Sequence, residues 1–196
     1  IFEKQFQKKF TINLPCIAVG SGTDALHLAY LLAEIKKNDE VICPLFTCTA
    51  TNIPLLYIGA KIKFADVDPD TLNISIDHVK KLITKKTKAI VFVNYGGLPC
   101  DLKELNSIAK KNNIKLIQDA AQSLGSTYND KPITEYSDFT IFIFQAIKHI
   151  SSGDGGLLCL KNKKLIKKAY RMRWFGIDRL KKQGGTWEND IKEIGY

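Results

Sequence analysis

Short β-branched and aromatic runs alternate with helix-period segments along the whole chain, and this alternation constrains the fold more than any other feature. Cys16–Val19 reads as a strand that runs into Gly20-Ser-Gly-Thr-Asp24. A helix follows, with Ala25, Leu28, Ala29 and Leu32 on one face. The pattern then predicts a strand over Glu40–Cys43 closed by Pro44, a helix from about Thr49 to Tyr57 ending at Gly59, and a strand over Lys61–Asp66. Next come a helix over 76–83 capped by Ser75, the strand Ala89–Val93, and a helix from Asp101 to about Asn112 opened by a capping-box-like Asp101/Glu104 pair. Strands over Lys115–Gln118, Phe139–Phe144 and Gly156–Leu160, and a helix over about 162–173, complete the series. Before the first strand, Phe2, Phe6 and Phe10 at i, i+4, i+8 predict an amphipathic helix. Repeated β-α-β spacing of this kind specifies an α/β domain with a mostly parallel central sheet between helices. No internal repeat or linker interrupts it, so 1–196 reads as one domain.

Composition narrows the function classes. Hydrophobic content of 45% with 25% charged residues excludes disorder and collagen-like repeats. No apolar run approaches the ~20 residues that a membrane-spanning helix needs. The formal charge of +9 invites a nucleic-acid reading, but it is local. The segment Lys161–Lys182 itself nets +9, with Asp178 its one acid, so the rest of the chain sums to zero. Leu165, Ile166, Ala169 and Met172 give the helix there a core face and are expected to leave its lysines on a solvated one. Stacking aromatics are not interleaved as a nucleic-acid surface needs. Cys16, Cys43, Cys48, Cys100 and Cys159 form no C-x-x-C pair, and four of them sit in apolar stretches. Reduced core cysteines in a reducing compartment are therefore expected, with no disulfide framework and no zinc site. Nothing after Ile1 resembles a signal peptide, and the chain opens without Met inside a helix. A cytoplasmic protein cut at both ends is the expectation.

In parallel sheets ligands bind beyond the carboxyl ends of the strands. Four such places carry chemistry: Gly20–Asp24, Pro44–Thr51, Asp119–Gln122 and Lys148. Gly20-Ser-Gly22-Thr23-Asp24-Ala25 joins strand to helix, where free amides and the helix dipole attract phosphate. The same letters match the dinucleotide fingerprint, yet the acid that fingerprint needs at the end of the next strand is absent, since Cys43-Pro44 stands there. By itself the segment also serves as an ordinary glycine turn. Asp119, ending a buried strand before two alanines, suits pairing with a protonated heterocyclic nitrogen or, equally, a helix N-cap. Lys148 follows a very apolar strand, where desolvation frees an amine for Schiff-base chemistry. A strand-edge lysine facing solvent is the alternative. His149 has no nucleophile pattern beside it, His27 reads as structural and His78 as solvent-facing. No metal-ligand spacing is present.

In combination these segments resemble a known family. Gly22-Thr23-Asp24-Ala25-Leu26, Asp39-Glu40-Val41-Ile42, Thr47 through Asn52, Asp119-Ala-Ala-Gln122, Phe144-Gln-Ala-Ile-Lys148 and Gly153-Asp-Gly-Gly156 occur in the order and spacing of the DegT/StrS family. These are sugar aminotransferases of fold type I that use pyridoxal 5'-phosphate (PLP). The wording Phe-Gln-Ala-Ile-Lys-His before Gly-Asp-Gly-Gly is most similar to perosamine-synthase-like members. The resemblance implies that Lys148 carries the cofactor as an internal aldimine and later shuttles the proton. It implies that Asp119 pairs with the pyridinium nitrogen, that Gln122 bonds the ring hydroxyl, and that Gly22, Thr23 and Asp24 hold the phosphate. Glutamate would donate the amine and a keto group on a nucleotide-linked sugar would accept it, in biosynthesis of a surface polysaccharide or glycan.

Three departures accompany the resemblance. Ile143 stands where the family usually has a phosphate-bonding serine. Cys48 stands where a ring-stacking aromatic is common. The chain is about half the family's usual length, lacks the small domain, and would complete its site only across a homodimer interface. Two alternatives remain open: a non-catalytic or regulatory homologue with cofactor binding weakened by Ile143, and, more distantly, an NAD-dependent Rossmann enzyme. Relatives that replace the lysine with histidine are sugar dehydratases, and Lys148 argues against that branch.

Overall fold

The computed structural model describes residues 1–178 and 191–196 as an α/β domain built on a seven-stranded sheet. The strands are β1 (Cys16–Val19), β2 (Glu40–Pro44), β3 (Lys61–Ala65), β4 (Thr87–Val93), β5 (Lys115–Asp119), β8 (Phe139–Ile143) and β9 (Gly156–Leu160). A two-stranded ribbon, β6 (Thr127–Tyr128) with β7 (Lys131–Pro132), lies apart from the sheet. The order across the sheet is β1-β9-β8-β5-β4-β2-β3, and only β9 runs antiparallel to its neighbours. The mostly parallel sheet expected from the sequence is therefore present. All the catalytically suggestive segments leave strands that point the same way.

Helices α1 (Phe2–Lys9), α2 (Gly22–Leu32), α3 (Thr49–Ile58), α4 (Ile76–Leu82), α5 (Leu102–Asn112) and α6 (Ile166–Met172) cover both faces. The period-two rule of a strand explains the layering. In β4, Ile90 and Phe92 pack with Phe6 of α1, Val79 of α4 and Leu105 of α5. Ala89 and Val91 turn the other way, into the cluster of Leu26 and Leu28 from α2, Leu55 from α3 and Met172 from α6. Because both faces are buried, the central strands are apolar runs rather than alternating ones. Truncating a wholly buried residue such as Leu105 to Ala costs about 2–5 kcal/mol.

Local chemistry fixes the helix starts. Ser21, Ser75 and Asp101 each accept a backbone amide three residues on, as N-caps do, and α5 ends on Asn113 in the left-handed conformation. The predicted helix over 162–173 is divided. Asn162 caps a tight turn at Lys163–Leu165, and the α-helix proper begins at Ile166. The strand expected to reach Asp66 stops at Ala65.

Two expectations are corrected. His78 is half-buried rather than solvent-facing, because its Nδ1 accepts the Asp66 amide at 2.9 Å and ties α4 to the chain leaving β3. The expectation for the basic segment holds for its lysines, with Lys161, Lys163, Lys164 and Lys167 exposed, and is corrected for its arginines. Arg173 donates to Glu3 Oε1 (3.0 Å) and to the Ala18 carbonyl (2.8 Å), and Arg171 pairs with Glu193 at 2.6 Å. These arginines hold α6 to α1, to β1 and to the C-terminal stretch. Ala169 and Met172 are buried as expected, whereas Arg179, Lys181 and Lys182 lie outside the described residues. No helix among the described residues is long and apolar enough to cross a membrane.

Candidate active site

The parallel strands deliver their connections to one side, and there the four sequence-predicted places meet. They enclose a cleft of about 520 Å³, within the usual range for small-molecule sites, lined at its corners by Gly22, Thr23, Cys48, Asp119, Gln122 and Lys148.

Asp119 ends β5, buried but for its edge on the cleft, and its two oxygens are held separately. Oδ1 accepts the Ala121 amide at 3.0 Å and Oδ2 accepts the Thr51 hydroxyl at 2.9 Å. Thr51 is itself buried, and its Oγ1 lies 2.8 Å from Thr47 Oγ1 on the cleft wall. An ionised carboxylate only accepts, so Thr51 donates to Asp119 and Thr47 donates to Thr51. The Thr51 carbonyl is anchored by the buried Tyr30 hydroxyl at 2.6 Å. Burial pushes the Asp119 carboxyl above the ordinary carboxylate range, while the Ala121 amide, the Thr51 hydroxyl and the Lys148 charge pull it back down. A buried carboxylate so placed is poised to bind a protonated ring nitrogen. The N-cap role open from the sequence is not what Asp119 performs, because no helix follows it.

At the opposite end, Gly22 and Thr23 begin α2 and present the first amides of an eleven-residue helix to the cleft. Ser21 does not compete for those amides, since its hydroxyl is engaged by the Asp24 amide at 3.1 Å. The Asp24 amide is thus taken by the helix cap, and Asp24 is not part of the lining. Close packing requires glycine here. A Cβ on Gly156, at the start of β9, would lie 2.2 Å from the Ser21 carbonyl oxygen, and one on Gly22 would lie 2.3 Å from Ile143 Cδ1. Ile143 thus forms an apolar wall against the helix start.

Lys148 is half-buried and stands on a turn in which its amide donates to the Gln145 carbonyl at 2.9 Å. It lines the cleft and its charge reaches Asp119, so it does not face away into solvent. Gln122 is oriented by the Gly96 amide, which donates to its Oε1 at 2.7 Å, leaving the NH2 as its donor end. Cys48 is exposed at the rim. His149 is exposed and absent from the lining, and half-buried His27 stacks on Tyr196 with ring centroids 5.1 Å apart, in keeping with a structural role. No cluster of possible metal ligands occurs among the described residues.

The sequence reading missed the connection after β4. Tyr95 lines the cleft with its ring centroid 5.0 Å from that of Phe46, and together they make an aromatic wall. The same strand-end rule, applied to Val93, points to it. What this cleft fits is a flat, phosphorylated ring: helix-start amides for the phosphate, a buried carboxylate for a ring nitrogen, small Ala121 beneath, and a lysine amine alongside.

Fold and cleft together are those of the fold type I aminotransferases, an α/β domain whose mostly parallel sheet lies between helices. The model of the DegT/DnrJ/EryC1/StrS aminotransferase family matches residues 1–196, and the chain belongs to that family. An uncharacterised protein of Methanocaldococcus jannaschii is 36% identical over 200 residues, covering 100% of this chain and 50% of that protein. The sugar aminotransferase CalS13 from Micromonospora echinospora is similar in structure, with a TM-score of 0.90, 32% identity, and coverage of 100% of this chain and 54% of that one. NtdA from Bacillus subtilis, with bound cofactor PMP, has a TM-score of 0.88 at 28% identity, covering 100% of this chain and 43% of that one. The chain spans about half the length of these proteins.

Proposed function

We propose that the protein to which this chain belongs is a PLP-dependent sugar aminotransferase. It would move an amino group from glutamate to a keto group of a nucleotide-linked sugar, in amino-sugar and surface-polysaccharide biosynthesis in the cytoplasm. The observation that carries the proposal is the convergence of Lys148, Asp119 and the start of α2 on one cleft. Bound there, PLP supplies an electrophilic carbonyl and a ring that accepts electron density.

Each residue then has a task. The Lys148 amine would hold the cofactor and would carry a proton to or from the substrate carbon. Asp119, where hydrogen bonds and the Lys148 charge oppose the upward push of burial, would pair with a protonated ring nitrogen and so sustain the ring's electron demand. Gln122 offers its NH2 to a ring oxygen. Gly22 and Thr23 orient the phosphate, with Asp24 contributing through the cap geometry, and Cys48 packs near the ring from the rim. We propose further that a second copy closes the cleft as a homodimer. Leu45 and Ile147, 66% and 83% exposed on the connections that form the cleft, are apolar surface that such a copy would cover.

Ile143 supports a second reading, a non-catalytic homologue, because it offers no hydrogen bond at the phosphate end. A nicotinamide enzyme has no support, since β2 ends in buried Cys43-Pro44 where a ribose-binding acid would be needed. The test is glutamate-dependent amination of a panel of 3-keto and 4-keto nucleotide sugars by the full-length protein supplied with PLP. Turnover on one member is expected. Absence of turnover with fully bound cofactor would favour the non-catalytic reading.

A further inference from the structure

The sequence offers no cysteine pairing motif, yet the sheet brings two cysteines face to face. Cys16 in β1 and Cys159 in β9 are direct antiparallel partners. The Leu160 amide donates to the Pro15 carbonyl at 2.9 Å, which makes 15 and 160 a hydrogen-bonded pair and Cys16 with Cys159 the adjoining non-hydrogen-bonded pair. At such pairs the Cα atoms lie about 4.5 Å apart, inside the roughly 4.4–6.8 Å that a disulfide spans. Both side chains turn to the same face of the sheet, and their Sγ atoms are 3.0 Å apart. Both also pack in the core, where the Cys16 thiol donates to the Leu14 carbonyl at 3.4 Å, and neither lines the cleft.

We propose that Cys16 and Cys159 form a reversible cross-strand disulfide site, closed by exchange with a low-molecular-weight disulfide. In the first step one cysteine thiolate attacks a sulfur of the small disulfide, forming a mixed disulfide and expelling one small thiolate. The second cysteine then loses its proton and attacks the protein-bound sulfur, expelling the other small thiolate. Two cysteines are oxidised by two electrons, and the small disulfide is reduced to two thiols, which take up the two protons.

The fold sets when this happens. Both thiols are buried, and burial together with the Cys16 neighbour pushes the Cys159 thiol up, so the closed molecule exchanges slowly. The way in is β1, which among the described residues pairs with β9 alone. Its other side is latched at Ala18, whose amide donates to Glu3 and whose carbonyl accepts from Arg173, so exchange needs that latch to open. Closure would pin that edge over a separation of 143 residues. It would also secure the strand that leads into Ser21-Gly22-Thr23, which already packs on Gly156 of β9.

The experiment equilibrates the full-length protein in mixtures of reduced and oxidised glutathione, with and without urea just below the unfolding transition. The products are denatured, alkylated and mapped by mass spectrometry. A peptide joining Cys16 to Cys159 is expected, with a melting temperature raised by roughly 5 °C or more and restored by dithiothreitol. In Cys16→Ala and, separately, Cys159→Ala, the linked peptide and the thermal shift should both vanish. Recovery of alkylated Cys16 and Cys159 under every condition, or cross-links confined to Cys48, overturns the proposal. Neither outcome depends on aminotransferase activity.

Discussion

The Thr51 hydroxyl donates to Asp119 Oδ2 at 2.9 Å, so a residue of α3 holds the carboxylate that ends β5. Thr51→Val keeps the shape and the Tyr30 contact, which uses the Thr51 carbonyl, but removes the donor. A hydrogen bond to a buried charge is worth about 1.5–3 kcal/mol. Urea unfolding of the variant should register a loss of that size. Asp119 should also become harder to ionise, so the absorbance of bound cofactor should respond to pH at a higher value than in the wild type.

Ile143 closes the helix-start end of the cleft with carbon where a phosphate seeks donors. Ile143→Ser should tighten cofactor binding by roughly ten- to a hundredfold, the equivalent of one hydrogen bond to a charged group. Fluorescence titration of the apo-protein with PLP measures this directly. Unchanged affinity would remove Ile143 as a determinant.

The pH dependence of stability follows from the direction of the Asp119 shift. Its carboxyl is raised in the folded protein, so between the ordinary carboxylate value and the raised one the native state binds more protons than the unfolded state. Stability contributed by this site therefore falls as pH rises through that window. Asp119→Asn removes the titration. Without cofactor, its stability relative to wild type should improve as pH rises from about 4 to neutrality, as read from denaturant midpoints. The opposite trend would mean that the hydrogen bonds outweigh burial.

Gly156→Ala tests the packing behind the helix start. The new methyl would sit 2.2 Å from the Ser21 carbonyl oxygen, and backbone must move to admit it. Overpacking of this kind costs about 1–3 kcal/mol. A lower melting temperature together with weaker cofactor binding is expected, because the displaced segment carries Gly22 and Thr23.

The legible parts of the fold were those with strong periodicity. The apolar strands and the capped helices α2 and α5 were readable because local propensity and tertiary burial agree there. Strand order was not readable, since β9 inserts between β1 and β8 by long-range pairing that no local pattern encodes. At the site, Asp119, Lys148, Gly22 and Gln122 were visible because strand ends carry chemistry in parallel sheets. Thr51 escaped as the holder of Asp119 because 68 residues separate the pair and only the sheet joins them. The arginines of the basic segment misled for the same reason, since Glu3, which engages Arg173, lies at the other end of the chain.

The most direct measurement is borohydride reduction of full-length protein purified with PLP, followed by peptide mapping. The expected result is a reduced cofactor adduct on the peptide carrying Lys148, lost in Lys148→Ala. Cofactor that binds but is fixed at another lysine, or at none, would contradict the assignment of this cleft as the catalytic site.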